Sequence, residues 1–274
     1  MLHEGYFDKV YYRFWEAGKQ DSVLANVFAV HGLGGHSFWF NHAADAFNKN
    51  KINMFSFDLP GFGQSKYPIG TIDSYKTWIN TSKEMLEKFK QYFEVNKPVF
   101  ILGHSMGALI AVLMSKNVKA KGWIISVPSF EGHKHTWNLL DFVLPVLCKS
   151  FFKPSQNITL PFGPENITKN KDTQLRIKKD PLRVISPDAA MFKHVYFLTL
   201  SAKRYIASVP GPVLMLIAGQ DKVCSNLAME EYFKKIKSND KLEKVYQDSY
   251  HDLFIEDEVE EIVNDISNWI KDKV

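Results

Sequence analysis

The spacing of apolar residues divides most of the chain into alternating strands and helices. Between Tyr75 and Phe93 apolar side chains recur at near-helical spacing, and Asp73-Ser74 supplies a candidate N-cap, which predicts a long amphipathic helix. Short continuous apolar runs are typical of strands covered on both faces. Such runs occupy residues 27–30, 52–57, 98–102, 122–127 and 213–218.

Further elements complete this alternation. The sequence predicts strands at residues 9–16 and 242–245, and helices at residues 38–48, 106–116, 226–236 and 256–271. From Val27 onward the order is strand, helix, strand, helix, strand, helix, strand. This order predicts an α/β fold with a mostly parallel central sheet and helices on both faces.

The regular pattern breaks between residues 128 and 201. Trp137 to Phe152 is strongly apolar, Pro145 is expected to bend or interrupt it, and a second helical stretch spans residues 189–200. We therefore expect a core of residues 1–127 and 202–274 with an inserted, mainly helical cap at residues 128–201. The apolar surface of the cap either binds lipid and touches a membrane surface transiently, or packs the cap onto the core. The sequence leaves both open.

Composition narrows the class of protein. With 274 residues, of which 45% are hydrophobic and 14% aromatic, the chain can build one large α/β domain with an insertion. A net charge of +4 without a block of Lys and Arg predicts no nucleic-acid partner. Cys148 and Cys224 match no disulfide or metal spacing, and the N-terminus resembles no export signal, so a cytoplasmic location is expected.

The segment around Ser105 carries the first candidate chemistry. The strand Pro98 to Leu102 runs into Gly103-His104-Ser105-Met106-Gly107, and a helix-forming segment follows. In a G-x-S-x-G turn between a strand and a helix, the serine stands at the apex and is presented outward as a nucleophile. The alternative is a glycine-rich turn whose serine caps the helix.

Candidate partners of Ser105 follow other strands. His251 comes after the last strand and Asp221 after the preceding one, so that an imidazole base oriented by a carboxylate could activate the hydroxyl. The glycine loop His31 to Ser37 also follows a buried strand. Such a loop either directs backbone N–H groups at an oxyanion or serves only as a tight turn. The pair His133 and His135 lacks a third ligand, so no metal site is predicted.

These motifs together resemble those of the α/β-hydrolase superfamily, and more narrowly of the monoacylglycerol lipase and lysophospholipase group. The resemblance covers nearly the whole chain. Family members often carry an acidic residue at the position of Gly35 and a second glycine at that of Ala108. The matching segments are His31 to Ser37, Asp58 to Ser65, Gly103 to Gly107, Asp180-Pro181-Leu182, Gly219 to Val223 and Tyr250 to Phe254.

The resemblance implies a role for each matching position. It assigns Ser105 as nucleophile, His251 as base and Asp221 as acid, with the backbone N–H groups of Leu33 and Met106 as the oxyanion hole, and it implies neither cofactor nor metal. The expected substrate is a long-chain monoacylglycerol or lysophospholipid, cleaved through an acyl-serine intermediate. The alternatives are a short-chain esterase, thioesterase or C–C hydrolase with the same triad, and a non-catalytic binding protein on the same fold.

Overall fold

The computed structural model describes residues 1–19, 22–93 and 95–274. Its centre is an eight-stranded sheet with the strand order β1-β2-β4-β3-β5-β6-β7-β8. The strands are β1 (Leu2–Phe7), β2 (Val10–Trp15), β3 (Ala25–Val30), β4 (Ile52–Phe57), β5 (Val99–His104), β6 (Gly122–Ser126), β7 (Val213–Ala218) and β8 (Lys241–Tyr246).

The strands from β4 to β8 in this order are parallel to one another, whereas β2 is antiparallel to both β1 and β4. The predicted mostly parallel sheet is thus confirmed. Strand β1 was not predicted. Its side chains alternate between exposed and partly buried positions at the edge of the sheet, so it lacks the continuous apolar run that marks the central strands.

Helices cover both faces of the sheet. The side chain of Phe100 in β5 packs against Trp269, with ring centroids 5.6 Å apart, whereas Gly103 of the same strand faces Ala108 of the helix that follows Ser105. Because residues 100 and 103 are an odd number of positions apart in one strand, they point to opposite faces. The helices around the sheet are α1 (Asn41–Lys49), α2 (Tyr75–Tyr92), α3 (Met106–Met114), α8 (Asn226–Lys235) and α9 (Val259–Lys271).

Helix α9 begins three residues later than the sequence suggests. The carboxylate of Glu256 accepts hydrogen bonds from Thr168 Oγ1 at 2.8 Å and from the N–H of Tyr250 at 2.9 Å. The buried Glu256 side chain therefore links two loops, and Glu256 is not the first acidic residue of the helix.

Four helices lie between β6 and β7, in the segment predicted to be a cap. They are α4 (Leu144–Phe152), α5 (Pro164–Ile167), α6 (Lys171–Lys179) and α7 (Ala189–Tyr205). A wider π-helical turn at Leu139–Val143 runs directly into α4, whose second residue is Pro145. Because proline has no N–H to continue the helical hydrogen bonds, the change of helix type agrees with the interruption expected at Pro145. The expected boundary at residue 201 falls within α7.

Among the residues that the structure describes, none of the helices is both long enough and apolar enough to cross a bilayer.

Candidate active site

Ser105 occupies a strained turn between β5 and α3. Its backbone has φ 56° and ψ −116°, a left-handed conformation that residues other than glycine rarely adopt. A Cβ on Gly107 would lie 2.1 Å from the carbonyl oxygen of Val30, and a Cβ on Gly103 would lie 2.4 Å from the carbonyl oxygen of Gly107. Both glycines are therefore required for the strand and the helix to pass so closely, as the nucleophile-elbow prediction supposes.

The structure brings the three predicted side chains together. His251 Nε2 lies 3.0 Å from Ser105 Oγ, and His251 Nδ1 lies 2.7 Å from Asp221 Oδ2. All three residues are buried. The chain of contacts places an imidazole between a hydroxyl and a carboxylate, which is the arrangement that lets a histidine take a proton from serine.

The Asp221 carboxylate is fixed by the backbone as well as by His251. Its second oxygen accepts hydrogen bonds from the N–H groups of Val223 at 2.7 Å and Cys224 at 2.8 Å. Burial alone would lower the pKa of His251, but the charge of Asp221 and its hydrogen bond outweigh burial and raise that pKa above its usual value. The carboxylate thus both orients the ring and strengthens it as a base.

The two candidate oxyanion donors stand beside Ser105. Met106 is the first residue of α3, and the N–H groups of a first helical turn have no intrahelical carbonyl to bond. Leu33 lies in the glycine loop after β3 and lines the same cavities as Ser105. A side chain at Gly32 would come within 3.0 Å of Ser105 Cβ, so glycine at that position lets the loop approach the serine.

Two further histidines, His31 and His104, are buried beside the site. His31 Nε2 accepts the N–H of Leu59 at 3.0 Å and its Nδ1 bonds the carbonyl of Gly32 at 2.8 Å, which ties the glycine loop to the loop after β4. Burial lowers the pKa of His31 to about 4. Burial, with the nearby His251, also lowers the pKa of His104 well below its usual value. Both rings therefore stay neutral near pH 7.

A buried polar network around Asp58 was not predicted. Asp58 is fully buried, and its carboxylate accepts hydrogen bonds from the N–H of Ser37 at 2.8 Å and the N–H of Gln64 at 2.7 Å. Arg13 Nη1 lies 3.5 Å away. Through these contacts the network links the glycine loop to β2 and to the loop after β4. Its sequence signal was an aspartate directly after a buried strand, but its partners lie far apart in the chain.

The site opens into an apolar cavity of about 390 Å³ between the sheet and the helices that follow β6. Ser105, Leu33 and Met106 form its floor. Its remaining walls are mainly aliphatic and aromatic, and include Trp137, Phe142, Val146, Leu147, Phe192 and Val195. The volume falls in the range of pockets that enclose a small organic ligand.

Cys224, which matches no disulfide or metal spacing in the sequence, lies against this site. Its Sγ lies within 4.8 Å of ligand atoms of Asp221 and His251, and the side chain also lines the apolar cavity. Burial, together with the charge of Asp221, raises the pKa of the thiol well above its usual value. Cys224 is therefore a protonated, apolar wall residue near pH 7.

The sequence is similar to those of known proteins. The family described as "Serine aminopeptidase, S33" matches residues 21–258 of the chain. Phospholipase YtpA of Bacillus subtilis is 25% identical over 248 residues, which cover 89% of this chain and 94% of that protein. Monoglyceride lipase of Rattus norvegicus is 24% identical over 269 residues, which cover 96% of this chain and 86% of the relative.

The fold also matches a solved structure over its whole length. A soluble variant of monoglyceride lipase from Saccharomyces cerevisiae, solved in complex with a substrate analog, superimposes with a TM-score of 0.89. The match covers 100% of this chain and 96% of that chain at 23% identity. The predicted α/β-hydrolase fold with a resemblance to monoacylglycerol lipase is confirmed.

Proposed function

Because this chain belongs to the serine aminopeptidase S33 family, we propose that it is a serine carboxylester hydrolase that cleaves long-chain monoacylglycerols or lysophospholipids. The observation that carries the proposal is the placement of the Ser105–His251–Asp221 chain of contacts at the floor of an apolar cavity. A serine hydroxyl that contacts an imidazole at the floor of an apolar cavity suits an ester with a long acyl chain.

In the proposed reaction, Ser105 Oγ attacks the ester carbonyl while His251 Nε2 takes the hydroxyl proton. The N–H groups of Leu33 and Met106 stabilise the negative charge that develops on the carbonyl oxygen. His251 then gives the proton to the departing alcohol, which leaves an acyl group on Ser105. A water molecule activated by His251 attacks this acyl-serine and releases the acid, and Asp221 stabilises the imidazolium in both halves.

The names of the relatives and the chemistry of the cavity support a lipid ester over a peptide. The relatives reported above are named as a phospholipase and a monoglyceride lipase. An aminopeptidase needs an available carboxylate for the free amino group of its substrate. In the cavity, Glu131 is paired with Lys203 at 2.7 Å. The walls favour an alkyl chain over a charged peptide terminus.

The cap at residues 128–201 is proposed to select the acyl chain and to meet the membrane. Along the segment from Leu139 to Phe152, some side chains line the cavity while others are largely exposed, among them Leu140 at 72% and Phe152 at 85%. This outer apolar face is continuous with the proposed acyl site, which suits a lid that rests on a lipid surface while substrate enters. The corresponding location is the cytoplasm, with transient contact between the cap and a membrane surface.

Replacement of the nucleophile tests the proposed chemistry. Ser105→Ala is expected to lower kcat on a long-chain monoacylglycerol by roughly 10⁴- to 10⁶-fold and to abolish labelling by a fluorophosphonate probe, because no hydroxyl remains to be acylated. Ser115→Ala, at the far end of α3, is the matched control and should keep both. Full activity of Ser105→Ala would refute the proposal.

The same assay separates the alternatives. A preference for short acyl chains or thioesters in the unsubstituted protein would favour a short-chain esterase or thioesterase, and cleavage of a carbon–carbon bond would favour a C–C hydrolase. A protein that neither turns over esters nor reacts with the probe would be a binding protein on this fold.

Exposed apolar substitutions test the membrane contact. The pair Leu140→Ser and Phe152→Ser is expected to reduce binding to phospholipid vesicles about tenfold, because each removes a largely exposed apolar side chain from the lid. Leu227→Ser, which alters an equally exposed leucine on α8, is the control. Equal vesicle binding by all variants would contradict a lid that touches membranes.

A further inference from the structure

Two spaces on the other side of Ser105 meet at the indole of Trp39. One is a chamber of about 30 Å³, lined by Ser105 and His251 among others. The second is a groove of about 610 Å³ at the protein surface, between α1 and α6. Trp39 belongs to the lining of both. If the acyl chain occupies the apolar cavity, this chamber and the groove behind it lie on the side of the departing alcohol.

The chamber is too small for a glycerol group while Trp39 keeps its present position. Its volume is about that of one water molecule in the liquid. The indole fills the neighbouring space because position 35 is glycine, where an added Cβ would lie 3.1 Å from the Trp39 ring. Trp39 Nε1 donates a hydrogen bond to Asp180 at 2.9 Å. On this side of Ser105, a leaving group larger than the chamber would have to displace the indole to reach the groove.

Asp180 holds the Trp39 indole between the chamber and the groove and also contacts His36. Burial would raise the pKa of Asp180, but hydrogen bonds from His36 and Trp39 outweigh burial and lower that pKa to about 2. His36 Nε2 lies 2.8 Å from Asp180 Oδ2. Arg13 is likewise engaged, since its guanidinium lies 3.5 Å from Asp58 and 3.6 Å from Glu4.

Arg176 is the cation of the groove that has no acidic partner. No carboxylate lies within 4.0 Å of its guanidinium in the part of the chain that the structure describes. Instead, Nη1 faces His42 Nε2 at 3.4 Å and Nη2 donates to Thr173 Oγ1 at 2.7 Å. Deeper in the groove wall, the buried atom His36 Nδ1 has no hydrogen-bond partner among the described residues.

We infer that the groove is a subsite for the phosphate of a lysophospholipid head group, held by Arg176 and His42. The inference rests on the proposed function, because it requires the acyl ester to lie at Ser105. A guanidinium presents paired N–H donors that match phosphate oxygens. Anionic lysophospholipids are then better substrates than neutral monoacylglycerols, and Trp39 determines which head groups reach the groove.

Two substrates with the same acyl chain and different head groups test the inference. The unsubstituted protein is expected to show at least a tenfold higher kcat/KM for 1-oleoylglycerol 3-phosphate than for 1-oleoylglycerol. Arg176→Gln should lower kcat/KM for the phosphate substrate by about 10- to 100-fold and leave the neutral substrate within twofold, because it removes a charge-assisted bond to phosphate alone. Arg204→Gln, an arginine outside the groove, is the matched control.

Trp39→Ala joins the chamber to the groove and should raise kcat/KM for the phosphate substrate severalfold, since no indole remains to be displaced. An equal loss on both substrates in Arg176→Gln, or a preference of the unsubstituted protein for the neutral substrate, would overturn the inference.

Binding of glycerol 3-phosphate, measured by calorimetry, separates failure of the inference from failure of the proposed function. The unsubstituted protein should bind this head-group fragment at least tenfold more tightly than Arg176→Gln does, whether or not esters are cleaved. If neither ester is hydrolysed and no fluorophosphonate label appears, the proposed function fails while this measurement still decides on the groove. Absence of binding that depends on Arg176 would refute the phosphate subsite.

Discussion

The two walls of the pocket around Ser105 are held in place by different interactions. On the side of the sheet, buried polar side chains are fixed by directed bonds, such as those of Asp221 to two backbone N–H groups and of Asp58 to the N–H groups of Ser37 and Gln64. On the side of the helices after β6, the wall is formed mainly by apolar side chains that contact one another and the cavity.

The wall on the side of the sheet therefore holds its atoms accurately, whereas the helical wall can adapt its shape. Directed hydrogen bonds in a buried site fix atoms to within a few tenths of an ångström, which acyl transfer requires. Apolar contacts are not directional, and so they accept changes of shape as long as volume is conserved. We therefore expect substitutions on the sheet side to change turnover for every substrate, and substitutions on the helical side to change which substrate is preferred.

The largest effect is expected at Asp221. In Asp221→Asn the amide has the size of the carboxylate but can present an N–H to His251, which disfavours the ring tautomer that accepts the proton of Ser105. We predict that kcat falls by about 10⁴-fold for short and long acyl esters alike. Ester turnover and thermal unfolding should be measured together. A loss confined to long-chain substrates would break the distinction between the two walls.

The next effect is a pH dependence set by the same carboxylate. Because His251 must be neutral to act as a base, kcat/KM should fall about tenfold per pH unit once the pH drops below its raised pKa. The acid limb of the profile should therefore lie above the usual histidine value. Rates measured from pH 5 to 9 test this, and an acid limb below the usual value would contradict the effect of Asp221.

The sequence located the sheet side of the site more fully than the helical side. Strands β4 and β7 have the predicted bounds because continuous apolar runs end at clear turn residues, and the elbow glycines have a steric cause that any chain with this turn must satisfy. The contact of His36 with Asp180 could not be read in this way. It joins positions 144 residues apart, and its partner lies in the irregular segment whose path depends on packing.

The smallest effect is expected on the helical wall, at Val195 of α7. Its side chain lines the apolar cavity, so Val195→Phe should occupy part of the space proposed for the acyl chain. We predict that kcat/KM for a long-chain ester falls about tenfold relative to a short-chain ester. Overpacking an apolar space typically costs about 1–3 kcal/mol, and a loss of about 1.4 kcal/mol of binding free energy is a tenfold change. Kinetics across an acyl-length series, with thermal unfolding as a check on the fold, measure the change. Val195→Ala provides the matched comparison, since it enlarges the same space and should leave the long-chain ester at least as good a substrate. If both variants lowered turnover equally at every chain length, the helical wall would act on the catalytic side chains themselves, and the two walls could not be treated as separate.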